Sequence, residues 1–179
     1  DSLARLIEQR RPGGARSNYQ YDFGNPVSHI ATRTRESLVN EDTLDSHDYV
    51  DGFGRKLGSK FEAEEGQWRF AGAVTFNARK LERSRWSSYF TATPDFEEPD
   101  PKRAHHALFY DAQGRVVRSV NPDNTESRIE FEPLVQRRLD ENDTAGPATP
   151  NSERSDGLGR LVEVVELNGP EEYHTRYTW

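Results

Sequence analysis

From Asn18 onward, apolar and polar residues alternate mostly with a period of two, the spacing that puts successive side chains on opposite faces of a strand. The pattern predicts strands at Asn18–Tyr21, Val27–Arg33, His47–Val50, Arg55–Phe61, Gln67–Phe76 and Lys80–Tyr89. Further strands are expected at Ala107–Tyr110, Arg115–Val120, Glu126–Phe131, Leu134–Asp140, Arg160–Leu167 and Glu172–Trp179. Ile129 and Phe131 alternate with Arg128 and Glu130, as in a half-buried strand. Only the first residues depart from this period. Leu3, Leu6 and Ile7 fall at i, i+3 and i+4 after Ser2, a plausible N-cap, and Pro12-Gly13-Gly14 follows. Ser2 to Arg11 therefore read as a short N-terminal helix, with residues 1–14 as helix and linker and 15–179 as a sheet region.

Between the strands one string recurs: Asp51-Gly52-Phe53-Gly54-Arg55, Asp111-Ala112-Gln113-Gly114-Arg115 and Asp156-Gly157-Leu158-Gly159-Arg160. An Asp that opens a type I turn accepts a bond from a backbone N–H two residues on, and a Gly at the fourth position takes positive φ without cost. Each copy predicts a hairpin corner, and recurrence predicts a repeat architecture of antiparallel hairpins. A degenerate copy, Tyr21-Asp22-Phe23-Gly24, is one residue short between Asp and Gly, so its corner must be tighter or bulged. Asn121-Pro122-Asp123-Asn124-Thr125 reads as a second corner type, with Asn124 at the positive-φ position. Thr91–Arg103 and Glu141–Ser155 read as loops from their Pro and polar content. The expected fold class is thus mainly all-β.

Composition makes this sheet thin. Hydrophobic residues are 32% of the chain, yet Trp 3, Tyr 7 and Phe 9 are too many aromatics for a disordered polymer. A repeat buries its apolar face on its neighbours, so an excised piece is expected to be marginally stable. The absence of Met and the strand-like run up to Trp179 suit a fragment of a larger chain. A net charge of −7 argues against nucleic acid as a partner, and no apolar run approaches the ~20 residues of a membrane-spanning helix. Zero Cys excludes disulfides and thiolate metal sites.

Candidate chemistry is sparse. His105 and His106 are adjacent, so on a strand their rings point to opposite faces and cannot chelate one ion; His29, His47 and His174 are isolated in sequence. Gly52-Phe53-Gly54-Arg55-Lys56-Leu57-Gly58 misses a dinucleotide loop, with Leu57 where the third Gly belongs and no helix after it. Asp42, Asp45, Asp48 and Asp51 lack the spacing and terminal Glu of an EF-hand and read as a solvated acidic loop. No nucleophile elbow or zinc helix is present, so neither catalysis nor a cofactor is expected. The recurring Arg55, Arg115 and Arg160 are expected to serve the turn Asp or strand neighbours.

The run Tyr110-Asp111-Ala112-Gln113-Gly114-Arg115 through Asp123 resembles the RHS, or tyrosine–aspartate, repeat, as do Ser155–Val162 and Asp51–Leu57. Val50 and Ser155 stand where that family often has Tyr; Tyr110 and Tyr21 keep it. Val74–Leu81 and Trp86–Pro94 are similar, more specifically, to the B component of Tc-type insecticidal toxin complexes, and the resemblance covers residues 18–179. It implies a wall segment of a hollow β-shell that encloses a toxic C-terminal polypeptide. The implied partners are neighbouring repeats of the same parent chain, the enclosed polypeptide and other toxin-complex subunits, and the implied location is secreted or cell-surface associated. The family's aspartate-dependent self-cleaving segment has no match here. The alternative is a module that binds carbohydrate or a cell surface through aromatic-rich strands such as Tyr173–Trp179.

Overall fold

The computed structural model describes residues 1–24, 27–35, 42–146 and 148–179. Among them the chain forms sixteen strands in two antiparallel sheets. The first sheet orders β1 (Glu8–Arg10), β2 (Arg16–Asp22), β3 (Ser28–Arg35), β4 (Thr43–Val50), β5 (Lys56–Glu62), β6 (Trp68–Ala71) and β9 (Tyr89–Thr91). The second contains β7 (Val74–Phe76), β8 (Glu82–Trp86), β10 (His105–Tyr110), β11 (Val116–Val120), β12 (Glu126–Glu132), β13 (Val135–Leu139), β14 (Asn151–Ser155), β15 (Leu161–Asn168) and β16 (Glu171–Arg176). Its order is β16-β15-β14-β13-β12-β11-β10-β8-β7, a meander broken only at the β10–β8 junction. The chain divides into two compact units, Asp1–Thr75 with Arg85–Arg103, and Phe76–Ser84 with Ala104–Trp179.

The N-terminal helix is absent. Asp1–Arg5 close a tight turn with Ala4 at φ +57°, a conformation no right-handed helix contains, and Glu8–Arg10 continue as a strand paired with β2. Leu3, Leu6 and Ile7 are all more than half exposed, so their helical spacing serves no buried face. The lone α-helix among the described residues is instead α1 (Glu141–Ala145), in a segment expected to be loop. Asp140 caps it by accepting from the amides of Asn142 and Asp143, while the Asp143 carboxylate accepts from the Asp140 amide. The rest of that expected loop supplies β14. The acidic loop is likewise a strand: Asp45 and Asp48 lie within β4, and Asp51 opens the corner after it. The expected strand Gln67–Phe76 is split by Gly72 at φ +64° into β6 and β7.

Buried apolar packing is concentrated in the first unit, where Tyr49, Phe70, Ala73 and Trp86 form a cluster joined by Val27, Leu57, Tyr89 and Phe96. Register explains it. Tyr49 lies opposite Gly58, Lys60 opposite Phe70 and Phe70 opposite Tyr89, so one face of the sheet carries the aromatics in a row. Gly58 (φ +145°) is required there, because a Cβ would lie 2.5 Å from Phe70 Cε2 and 3.1 Å from the Ala73 backbone.

Candidate functional site

The three Asp-x-x-Gly-Arg corners share one geometry. In each, Asp Oδ1 accepts from the amides two and four residues on at 2.8–3.0 Å, and Oδ2 accepts from the Arg Nε at 2.7–2.8 Å. The Asp amide donates to the Arg carbonyl, and the Gly amide to the Asp carbonyl. Gly54, Gly114 and Gly159 sit at φ +77°, +84° and +78°. One carboxylate thus satisfies three donors, which orients the Arg as well as closing the turn. At Asp156 the Arg160 amide and then its guanidinium hold the carboxyl below the ordinary aspartate value. At Asp51 and Asp111 partial burial pushes upward, and the bonds from the following Arg outweigh it.

Sequence reasoning missed two further copies. Asp1 makes the same bonds to Leu3, Arg5 and the Arg5 guanidinium, with Ala4 in the glycine position. Asn77 Oδ1 accepts from the amides of Arg79 and Leu81, without a guanidinium bond, with Lys80 at φ +67°. The signal was an Asp or Asn followed by a closing residue four positions on, obscured by non-glycine residues at positive φ. Asn121–Thr125 has the same backbone closure, with Asn124 at φ +67°, but Asp123 caps Thr125 while the Asn121 amide group donates to Thr125 Oγ1 and Glu141. The degenerate copy differs. Gly24 lies outside the left-handed region, and Asn25 and Pro26 fall outside the described residues.

The two tyrosines that precede a corner Asp, Tyr21 and Tyr110, have a common role. The Tyr110 hydroxyl donates to the Glu82 carbonyl at 2.7 Å, and the Tyr21 hydroxyl to the Leu6 carbonyl at 3.0 Å, each tying a strand to a segment outside its own hairpin. Three of the corner arginines extend over aromatics: Arg115 over Phe131 at 3.9 Å, Arg55 over Phe53 at 5.4 Å, and Arg5 over Tyr21 at 4.7 Å.

The most unusual polar group is Lys60, whose side chain has no exposed surface. Its ammonium donates to the carbonyls of Thr93 (3.0 Å) and Asp95 (2.6 Å) and lies 3.6 Å from Glu97. Tyr49 donates to the neighbouring Pro94 carbonyl, and Phe96 packs 5.4 Å from the Tyr49 ring. Segment 93–97 is therefore a strap clasped onto the aromatic face. Burial lowers the Lys60 pKa, opposed by Glu97 and Asp95. Burial also raises Tyr89, to about 12.

Beside the strap, the structure brings together two histidines that looked isolated. His29 and His47 stack at 5.2 Å, Trp68 meets His47 edge-on at 5.2 Å, and a cleft of about 240 Å³ opens among Asp22, His29, His47, Tyr49, Asp95 and Phe96. Burial, then His29, lowers the His47 pKa. Among the described residues no three His, Asp or Glu side chains are grouped so as to hold a metal ion. No described helix is long and apolar enough to cross a membrane.

No protein-family profile matches the chain. Over its whole length it is 26% identical to Toxin protein Tse5 of Pseudomonas aeruginosa. Its fold is similar to TcdB2-TccC3 (TM-score 0.78, 18% identity, 96% of this chain) and to TcdB2-TccC3-Cdc42 (0.74, 18%, 85%). It is also similar to a Photorhabdus luminescens Tc holotoxin pore carrying a TccC3 mutation (0.75, 19%, 88%). The fold is the antiparallel β-shell architecture of the RHS-repeat regions in these structures. The chain spans 12% of the length of Tse5 and 9–10% of these solved chains.

Proposed function

We propose that this chain is a wall segment of an RHS β-shell that encloses a toxic polypeptide and helps deliver it. The observation that carries the reading is the recurrence of one side-chain-capped corner, four copies anchored by Asp and one by Asn77, along two broad antiparallel sheets. In the Asp51, Asp111 and Asp156 corners the carboxylate is engaged by two amides and the Arg guanidinium within the turn, a use that suits building strand spacing and curvature. The family likeness supports the same reading, since the matched proteins are toxins and toxin-complex components. The role is structural rather than enzymatic, the partners are adjoining repeats, an enclosed polypeptide and other toxin-complex subunits, and the site of action is outside the producing cell. Limited proteolysis of the full-length protein, with mass-spectrometric mapping, tests it. A protected polypeptide inside resistant repeats is expected; rapid digestion of that polypeptide while the repeats survive would overturn containment.

A further inference from the structure

The cleft beside the strap has walls of two chemical kinds. Register puts His29 opposite Tyr49 and Ala31 opposite His47, so His29, His47 and Tyr49 share one face of the adjacent strands β3 and β4. The imidazoles stack at 5.2 Å, His47 lies 6.3 Å from Tyr49 at an interplanar angle of 18°, and Phe96 packs 5.4 Å from Tyr49 on the strap side. Asp22, at the end of β2, and Asp95, on the strap, bring two carboxylates to the same lining.

The fold does not consume these groups. Lys60 donates to the main-chain carbonyl of Asp95 and has Glu97 as its ion-pair partner, and Arg33, on the same face as His29, is taken by Asp45. Among the described residues, the Asp22 and Asp95 carboxylates form no ion pair, and neither they nor the His29 and His47 rings form a side-chain hydrogen bond. Elsewhere in the chain the same two partners, a carboxylate and an aromatic ring, hold a guanidinium between them. Arg115 bonds Asp111 and lies 3.9 Å over Phe131, Arg118 bonds Glu126 and lies 4.9 Å over Phe109, and Arg5 bonds Asp1 and lies 4.7 Å over Tyr21. A planar guanidinium stacks on rings while its edge donates in pairs to carboxylate oxygens. The cleft offers both features, and no Lys or Arg is among the described residues of its lining.

We propose that this cleft binds a guanidinium group, stacked against the His29, His47 and Tyr49 rings and donating to Asp22 and Asp95. Its volume of about 240 Å³ fits one cationic head with its stem and is below the range of pockets for drug-sized ligands. Burial and His29 hold His47 below the ordinary histidine value, so near neutral pH that ring is uncharged and does not repel a cation. The site does not depend on the shell reading.

Isothermal titration of the protein at pH 7.5 with the capped tripeptide Gly-Arg-Gly, and separately with ethylguanidinium, tests the proposal. Saturable one-to-one binding in the millimolar range is expected, weakening with salt and weaker by about tenfold or more in the Asp22→Asn/Asp95→Asn variant. Asp95→Asn alone leaves in place the carbonyl that Lys60 uses and should still weaken binding by about threefold. Tighter binding of the tripeptide would assign an arginine side chain of a polypeptide as the natural source, and equal or tighter binding of ethylguanidinium a small free guanidinium compound. Circular dichroism monitors folding of the variants, and Glu166→Gln, exposed in the second unit, should bind as the unaltered protein does. No saturation by either probe up to about 20 mM, equal binding by the Asp22→Asn/Asp95→Asn variant, or equal binding of Gly-Lys-Gly, whose ammonium cannot fork, would overturn it.

Discussion

The Lys60 ammonium donates to the Asp95 carbonyl at 2.6 Å from a side chain with no exposed surface. A cation so placed is tolerable only because a second carbonyl and the Glu97 carboxylate share it. Replacing it by Met keeps the apolar stem and removes the donor, leaving two carbonyls without it. Lys60→Met should lower stability by about 2 kcal/mol and open the bonds following Thr93 to protease before the rest of the sheet. Denaturant unfolding together with timed proteolysis measures both effects.

Asp111 tests the corner. Asp111→Asn keeps an Oδ1 acceptor and loses the charged bond to Arg115, whereas Asp111→Ala loses all three side-chain bonds. Melting temperature should fall slightly in the first and by several degrees in the second. Because the folded carboxyl sits below its ordinary value, its contribution is present above the unfolded pKa and is lost as pH falls through the lowered folded one. The gap between the unaltered protein and Asp111→Ala should therefore close in acid, as thermal melts at pH 7 and pH 3 would show.

Positive φ gives predictions of opposite sign. Lys80 holds φ +67° in the Asn77 corner and no glycine relieves it, so Lys80→Gly should stabilise by about 1 kcal/mol. Gly58→Ala should destabilise by about 2 kcal/mol or more, since its Cβ would strike Phe70 and the backbone at Ala73. Chemical denaturation of both variants separates a strained corner from a required close approach.

The stacked histidines predict a response to mild acid. Burial and His29 lower the His47 pKa, so the unfolded chain takes up its proton at a higher pH than the folded chain. Stability then falls as pH drops through the ordinary histidine value of 6.5. Asp45 and Asp95 moderate the effect and Lys60 adds to it. His47→Gln should flatten the decline in melting temperature between pH 7.5 and pH 5.5.

Period-two alternation showed most strands, and the corners at Asp51, Asp111 and Asp156 were readable because Asp, Gly and Arg all occur together. The corner at Asp1–Arg5 was hidden because Ala4 occupies the glycine position, and the accidental spacing of Leu3, Leu6 and Ile7 resembled a helix. Helix periodicity has meaning only where a face is buried, and those three side chains are exposed. The strap was not legible. Nothing local to Lys60 marks it as buried, since its partners lie more than thirty residues away at Thr93 and Asp95. His29 and His47 met only through the β3–β4 register.

Where these strands sit in the intact protein is addressed most directly by a cryo-electron microscopy reconstruction of the full-length chain. If the chain is a wall segment, both sheets will form part of a continuous wall, with one face turned toward an enclosed polypeptide. Residues 1–179 standing apart as a separate module, with solvent on both faces, would contradict it.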